Sequence, residues 1–460
     1  MIAQSQLSLH QRAATPLQVF ASGLSGDLLL PGHPEYDDAR RLWNGLIDRY
    51  PAMIVRCAEV ADVSKALRFA RGQGLQVAVR GGGHNAAGYA MVDAGLVIDL
   101  SHMKKITVDP LMLTALAEPG LTLGEFVSAT NAHGLATTTG VVSGTGMAGL
   151  TLGGGIGWLM GKHGLTSDNL LSVEIVTADG EIRYASESEN GDLFWAVRGG
   201  GGNFGIVTAF EYRLHPIGQV LAGTVSHPID RVEELLCFYR EYVHAAPDAL
   251  TAYVSIVGGP DGRPVAAITV CYDGSIAAGE QLLAPLRAFG APLADSIRPM
   301  SYLEVVHLLD AGSPHGRKYY DRANSLSELN DEAIATIADY AATRTSPFSQ
   351  ILIQHIHGAA ARIDPAVTAA HALRGEQFVI SMLAAWEDDN AETHQSWVRA
   401  FWSDTRQFAR AGTYVNYLSV DEGAQVRSSY GPNYQRLAAI KAKYDPANVF
   451  RLNQNIKPAI

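Results

Sequence analysis

A histidine placed directly behind three glycines is the most reactive arrangement in this chain: Val79-Arg80-Gly81-Gly82-Gly83-His84-Asn85-Ala86-Ala87-Gly88-Tyr89. The preceding stretch, Leu75–Val79, reads as a short buried strand, so the glycines fall where a strand ends. Consecutive glycines let successive backbone N–H groups turn inward and line an anion-binding concavity. A diphosphate fits there, and His84 can meet whatever that diphosphate carries. The plainer reading of His84 is a satisfied histidine in an ordinary glycine turn.

Two more glycine-rich loops follow, at 140–157 and 199–205. Three such loops let backbone approach a long, flat, diphosphate-bearing ligand along its length; a set of tight turns without a ligand is the alternative. Gly144-Thr145-Gly146-Met147-Ala148-Gly149 formally matches the dinucleotide fingerprint. That fingerprint works by aiming a helix N-terminus at the diphosphate. Here Leu150-Thr151-Leu152-Gly153-Gly154-Gly155-Ile156-Gly157 follows, a poor helix start, so a Rossmann site is rejected.

Composition narrows the class. A chain of 460 residues has room for two or three domains. Apolar content of 47% with 18% charged residues describes an ordinary globular protein. The balance of 35 Lys+Arg against 46 Asp+Glu, net −11, argues against a nucleic-acid partner. Cys57, Cys237 and Cys271 are widely spaced, so neither a metal site nor a redox pair is expected. Met1–Ser22 lacks a basic start followed by an apolar core, and no apolar run approaches the roughly 20 residues of a membrane helix. A cytoplasmic enzyme with no membrane partner is the default. No coiled-coil heptads occur, and the oligomeric state stays open.

The positioning elements are legible as patterns. Residues 1–30 read as a leader arm, and Asp37–Tyr50, containing Trp43-Asn44-Gly45, carries a helical pattern. Ala61–Arg71 is an amphipathic helix with Val63, Ala66, Leu67 and Ala70 on one face. Strands are expected at Gln76–Arg80, Gly95–Leu100 and Leu113–Glu118, and a helix at Leu123–His133. Leu171–Ile182 reads as a strand pair joined by Asp179-Gly180, and another strand runs to about Leu214, where His215-Pro216 breaks it. Beyond Pro216, helices at 231–245, 276–289, 331–344 and 392–411 alternate with strands at 250–258, 264–273, 350–362 and 377–388. Four strands with intervening helices point to an antiparallel sheet backed by helices. The expected division is a discontinuous first domain, 1–216 and 413–460, and a second domain, 217–412.

Long ordered motifs carry a resemblance. They are the His84 loop; Gly140-Val141-Val142-Ser143-Gly144-Thr145-Gly146 with Gly153-Gly154-Gly155-Ile156-Gly157-Trp158; Lys162 to Leu170; Asp192 to Gly199; Asn203-Phe204-Gly205-Ile206-Val207-Thr208; and Tyr444-Asp445-Pro446-Ala447-Asn448-Val449-Phe450 with Asn453-Gln454-Asn455-Ile456. Together they resemble the FAD-linked oxidases of the vanillyl-alcohol-oxidase superfamily, bacterial berberine-bridge-enzyme-like branch, over nearly the whole chain.

The resemblance implies an α+β fold. It comprises a bipartite, PCMH-type FAD-binding domain with a core at about 45–217, and a substrate domain whose antiparallel sheet roofs the flavin. It implies FAD bonded covalently to His84. The implied FAD contacts come from Arg80, Gly81, Gly82, Gly83, Asn85, Gly88, Gly140, Val141, Ser143, Gly144, Thr145, Gly146, Gly149, Gly153, Gly154, Gly155, Gly157, Gly205, Ile206, Val207, Asn416, Asn453 and Asn455. Many members attach the flavin twice, through a cysteine whose position here is Val142, so a single attachment is expected. A subset carries a histidine where this chain has Gly144.

With a flavin implied, the substrate must give up a proton as its hydride leaves, and a base must lie within hydrogen-bond reach. Tyr417, in Thr413-Tyr414-Val415-Asn416-Tyr417, matches the family's usual base. Read as a strand, that segment puts Tyr417 with Val415 and opposite Tyr414 and Asn416. A tyrosine of ordinary pKa near 10 needs a nearby positive charge to serve at neutral pH. In 350–358, alternation sets Gln350, Leu352, Gln354 and Ile356 against Ile351, Ile353, His355 and His357. Gln354 matches the family's substrate-facing position and can orient but not accept a proton; His355 and His357 serve only if their face is the inner one. Tyr89 and Tyr253 are lesser pocket candidates; Asp99, Asp168 and Asn169 read as turn-setting residues, and Arg362 as a packing charge.

The expected activity is an oxidase using a small alcohol, polyol or cyclic amine and O2, yielding H2O2. A flavin-dependent dehydrogenase or oxidative cyclase is the enzymic alternative, and a ligand-sequestering flavoprotein the non-enzymic one.

Overall fold

The computed structural model describes residues 15–259, 262–419 and 423–460. The first 14 residues of the expected leader arm lie outside the described residues. The rest of that arm is not loose. Its segment β1 (Asp27–Leu29) pairs antiparallel with β2 (Met53–Arg56). β3 (Val77–Arg80) leads into the His84 loop and β4 (Leu96–Asp99) follows it, giving a sheet of order β1-β2-β4-β3. Strands β2, β4 and β3 are parallel, and their short apolar runs are buried, as both-face coverage requires. Helix α1 (Val60–Gly72) covers one face with the expected Val63, Ala66, Leu67 and Ala70.

A second, antiparallel sheet is built from β5 (Ile106–Asp109), β6 (Thr114–Ala117), β7 (Leu170–Val176), β8 (Ile182–Ser186) and β9 (Ile206–Arg213), in the order β5-β6-β9-β7-β8. The third sheet is the largest. Its main strands are β10 (Val220–Pro228), β11 (Leu250–Gly258), β12 (Pro264–Tyr272), β13 (Lys318–Leu326), β14 (Gln350–Ile356) and β15 (Gln377–Trp386). They lie in the order β10-β12-β11-β14-β15-β13, all antiparallel. One face packs on the helices Val232–His244, Asp331–Ala342 and Ala391–Thr405.

Two of these strands, β10 and β13, escape the sequence pattern. Strand β10 carries Gly223 at φ +146°, where a side chain would strike the backbone of Ser296 and Ile297. Strand β13 reads Lys-Tyr-Tyr-Asp-Arg-Ala-Asn-Ser-Leu, with polar residues on both faces, so no apolar alternation marks it. The expected strand 350–362 stops at Ile356; Gly358, at φ +59°, turns the chain into a helix at Gly358–Arg362. The expected helix at Asp37–Tyr50 shrinks to Tyr36–Ala39. Its remainder is a loop because Asn44 spends its side chain on tertiary partners. Asn44 Nδ2 donates to the carbonyls of Ala86 (2.8 Å) and Tyr319 (2.9 Å), and its Oδ1 accepts from the Tyr319 amide (2.9 Å). A six-residue helix, Met147–Leu152, does start inside the second glycine loop, with Gly146 as N-cap, contrary to the expectation of no helix there. The rejection of a Rossmann sheet stands, since the parallel strands precede that loop.

The C-terminal motif acts as a clamp. Lys441 Nζ donates to Asp445 (2.6 Å) and to the carbonyls of Asn203 (2.7 Å) and Phe450 (2.8 Å), all fully enclosed. Asp445 in turn accepts from the amides of Val449 and Phe450. Asn203 holds the tail from the other side, donating to the Gln454 carbonyl (3.1 Å) and accepting from the Ile456 amide (2.9 Å). A buried charge left unpaired is strongly destabilising, so Lys441→Met should cost about 3–5 kcal/mol. Denaturant unfolding measures it; an unchanged midpoint would show that the clamp contributes nothing.

Candidate active site

A cavity of about 810 Å³ lies between the glycine loops and the large sheet. That volume is within the about 300–1,000 Å³ range of cofactor sites. Its floor includes Gly81, Gly82, Gly83, His84, Asn85, Gly140, Val141, Val142, Thr145, Gly146 and Gly149, with Gly205, Ile206 and Val207 from the start of β9. Gly82 and Gly146 meet backbone to backbone. A Cβ on either would come within 2.5 Å of the other's main chain, so only glycine closes this part of the cradle. The tail contributes Leu452, Asn453 and Gln454. Asn453 Oδ1 and Gln454 Nε2 are buried without a protein partner. Buried polar atoms are rarely left so, and these orphaned groups fit a polar ligand lying in the cavity.

His84 is half-buried, with one edge on the cavity. Its ring stacks on Trp43 (centroids 4.4 Å apart), and Trp43 stacks on Tyr319 of β13 (3.8 Å). Burial, then the neighbouring His315, brings its pKa down to about 4. The imidazole is therefore neutral at physiological pH, with a lone pair available for bonding. Its Nε2 is buried and has no partner. His315 approaches edge-on at 6.3 Å and lies 3.7 Å from where a Gly144 Cβ would be.

The roof is one face of the large sheet. Alternation along β14 turns Gln350, Leu352 and Gln354 to the cavity and Ile351 and Ile353 to the helices. Registers align neighbours on the same face: Asp321, Leu383 and Gln350 in one row, and Ser381, Leu352, Ser255 and Ala267 in the next. His355 and His357 face away. His355 bonds Glu376 (2.9 Å) and packs on Phe378, and burial lowers its pKa to about 4. Both histidines are thus removed as bases for chemistry in the cavity.

Tyr417 reaches the roof from below, donating to Gln354 Oε1 at 2.8 Å. Its segment is not a strand. Val415–Tyr417 forms one 3₁₀ turn, so Tyr414, Asn416 and Tyr417 all line the cavity, the tyrosine rings 4.9 Å apart. Alternation had set Tyr417 opposite the other two; the turn's three-residue period brings them together. Burial first, then Tyr414 and Asp321, raises the Tyr417 pKa. The positive charge a phenolate would need does not come from the cavity wall. Among the described residues lining it, Arg317 is the one cation, and its guanidinium donates to Glu387 (2.8 and 3.0 Å).

Several sequence-derived contacts do not line the cavity. Arg80 donates to the Ala39 carbonyl and lies 3.9 Å from Asp99. Ser143 Oγ is bonded to Asp310 (2.6 Å). Gly88, Gly144, Gly153, Gly154, Gly155, Gly157 and Asn455 are also outside the lining. Most of these glycines serve close packing: a Cβ would strike Ile47 at Gly88, Asn416 at Gly153, Thr166 at Gly155 and the Thr139 carbonyl at Gly157. Tyr89 lines the cavity, whereas Tyr253 packs on Trp158 (4.6 Å). Asp168 anchors the buried Arg374 (2.6 and 2.9 Å), and Arg362 pairs with Asp248, both structural roles. Trp43 and Asp321 escaped the sequence reading. Nothing local marks them, because each reaches the site through tertiary register.

Comparison with known proteins agrees with this geometry. A family model for an FAD binding domain matches residues 51–186, and a berberine and berberine-like model matches 413–457. An FAD-linked oxidoreductase of Dictyostelium discoideum is 33% identical, covering 95% of this chain and 96% of its own. (R)-6-hydroxynicotine oxidase of Paenarthrobacter nicotinovorans is also 33% identical, with 98% and 99% covered. The crystal structure of 6-hydroxy-D-nicotine oxidase from Arthrobacter nicotinovorans superposes with a TM-score of 0.88 at 31% identity, over 97% of this chain and 100% of that one. The cradle of glycine backbone, the tail's orphaned polar groups and the match along nearly the whole length together place this chain in the berberine-bridge-enzyme-like family of FAD-linked oxidoreductases.

Proposed function

We propose that the protein is an oxidase that holds FAD covalently through His84 and oxidises a small alcohol, polyol or cyclic amine in the cavity beneath the large sheet. The observation that carries this reading is one cavity with a neutral, unpartnered histidine in its glycine cradle and a tyrosine–glutamine pair under its roof. When bound, the flavin supplies a two-electron acceptor that takes hydride at N5 and returns the electrons to O2 as H2O2.

The chain's residues supply the rest. The glycine loops and Asn453 would hold the dinucleotide, and the imidazole of His84 its covalent link. A second link is ruled out chemically at Val142, and among the described residues no cysteine lines the cavity. Gln354 orients Tyr417, which would take up the substrate proton only in its phenolate form. Leu352 and Leu383 make part of the roof apolar.

Precipitating the protein in acid should give a yellow pellet, with the flavin on the His84 peptide. His84→Ala should release the flavin to the supernatant; flavin still bonded in that variant would refute the attachment. Screening alcohols and amines for peroxide identifies the activity, and flavin reduction without peroxide would make the protein a dehydrogenase. Tyr417→Phe should slow anaerobic flavin reduction by a cognate substrate about 10²–10⁴-fold. An unchanged rate would remove Tyr417 as the proton acceptor.

A further inference from the structure

We propose that Asp321 is the anchor for a cationic nitrogen on the substrate, so that the substrate class is a small amine protonated at neutral pH. The proposal rests on the oxidase reading above and deepens it.

Strand β13 presents alternate residues to alternate sides. Tyr320, Arg322 and Asn324 belong to the helix side: Tyr320 packs into the helix-backed core, Arg322 lies over Trp402, and Asn324 donates to the Trp402 carbonyl. Tyr319 and Ser325 belong to the other side, stacking on Trp43 and bonding Thr413. Asp321 falls between these two, on the cavity side, is 7% exposed and lines the cavity. Its register neighbours Leu383 and Gln350 line it too. Its strand packs on the 3₁₀ turn that carries Tyr417, and Ser419, two residues beyond Tyr417, donates through Oγ to the Asp321 carbonyl (2.9 Å).

Among the described lining residues Asp321 is the one carboxylate, and the one guanidinium, Arg317, is held by Glu387. A cation bound in the cavity would therefore meet its carboxylate partner at Asp321. A carboxylate offers about four lone-pair sites, so a substrate N–H can join the partners Asp321 already has. Several of the polar side chains in the wall are already engaged with one another or with backbone. Thr224 and Thr269 bond each other (2.9 Å), Gln350 donates to the Gly312 carbonyl (2.5 Å), and Gln354 accepts from Tyr417. A cation at Asp321 would also offset that residue's unfavourable effect on a Tyr417 phenolate. A neutral alcohol would not.

The test compares phenylalkylamines of one to three methylenes with the alcohols of the same skeletons. Binding to the flavin-loaded protein is read anaerobically from perturbation of the flavin absorption spectrum. The ammonium should bind about tenfold tighter or more, the size of one charge-assisted hydrogen bond. Asp321→Asn and the smaller Asp321→Ser should abolish the preference with flavin retained, and Asp321→Glu should keep it. No preference in the wild type, including no binding by any of the series, overturns the proposal. So does a preference that survives both neutral variants. The failure of the oxidase reading would look different: ammonium binding intact but no flavin reduction or peroxide with any substrate. Peroxide from alcohols with no ammonium preference sinks the anchor alone.

Discussion

The position of Trp43 between two rings ties the floor of the cavity to its roof. Its indole lies against His84 on the glycine loop and against Tyr319 on the edge strand of the roof. Each aromatic contact is worth only about 0.5–1.5 kcal/mol beyond its buried area. The neighbouring Asn44 adds direction, bonding the backbone on both sides of Tyr319 and the carbonyl of Ala86. Gly45 lets that loop pass within contact of Gly316, where any side chain would collide. Floor and roof are thereby held at a set separation by parts of the chain 275 residues apart, as the Asn44–Tyr319 bonds show.

The tail closes the same space from a third direction. The Lys441–Asp445 pair is enclosed, so its attraction acts in a medium that screens it weakly, and the surrounding carbonyls and amides satisfy the remaining donors and acceptors. That network is what presents Asn453 and Gln454 to the cavity. Arg374 and Asp168 do the equivalent work between the second glycine loop's exit and the segment leading into β15.

The electrostatics of the cavity follow from burial. His84 is kept neutral and Tyr417 protonated, both because desolvation penalises charge. A neutral imidazole suits bond formation at nitrogen. A protonated phenol suits donation to Gln354 and makes proton uptake depend on what the substrate brings. Asp321 is the one carboxylate among the described residues of that wall, and on the anchor proposal it would select the kind of substrate bound.

The family, the FAD cradle and His84 are determined by the sequence, because glycine runs and the terminal Tyr-Asp-Pro-Ala-Asn motif are local and backbone-driven. So are the strands and helices with clean periodicity, such as α1, β11 and β14, and the pairing of Gln354 with Tyr417 as candidates. Only tertiary structure decides which glycines touch the cavity and which, like Gly155 and Gly157, merely admit a neighbouring chain. It decides that Tyr414 and Tyr417 share a side, since a strand and a 3₁₀ turn of three residues look alike in so short a segment. It decides which face of β14 is inner, because both faces carry apolar and polar residues and alternation alone has no sign. Strand β13 is the extreme case: Asp321 reaches the cavity through cross-strand register with Leu383, a relation between distant residues that no local pattern encodes.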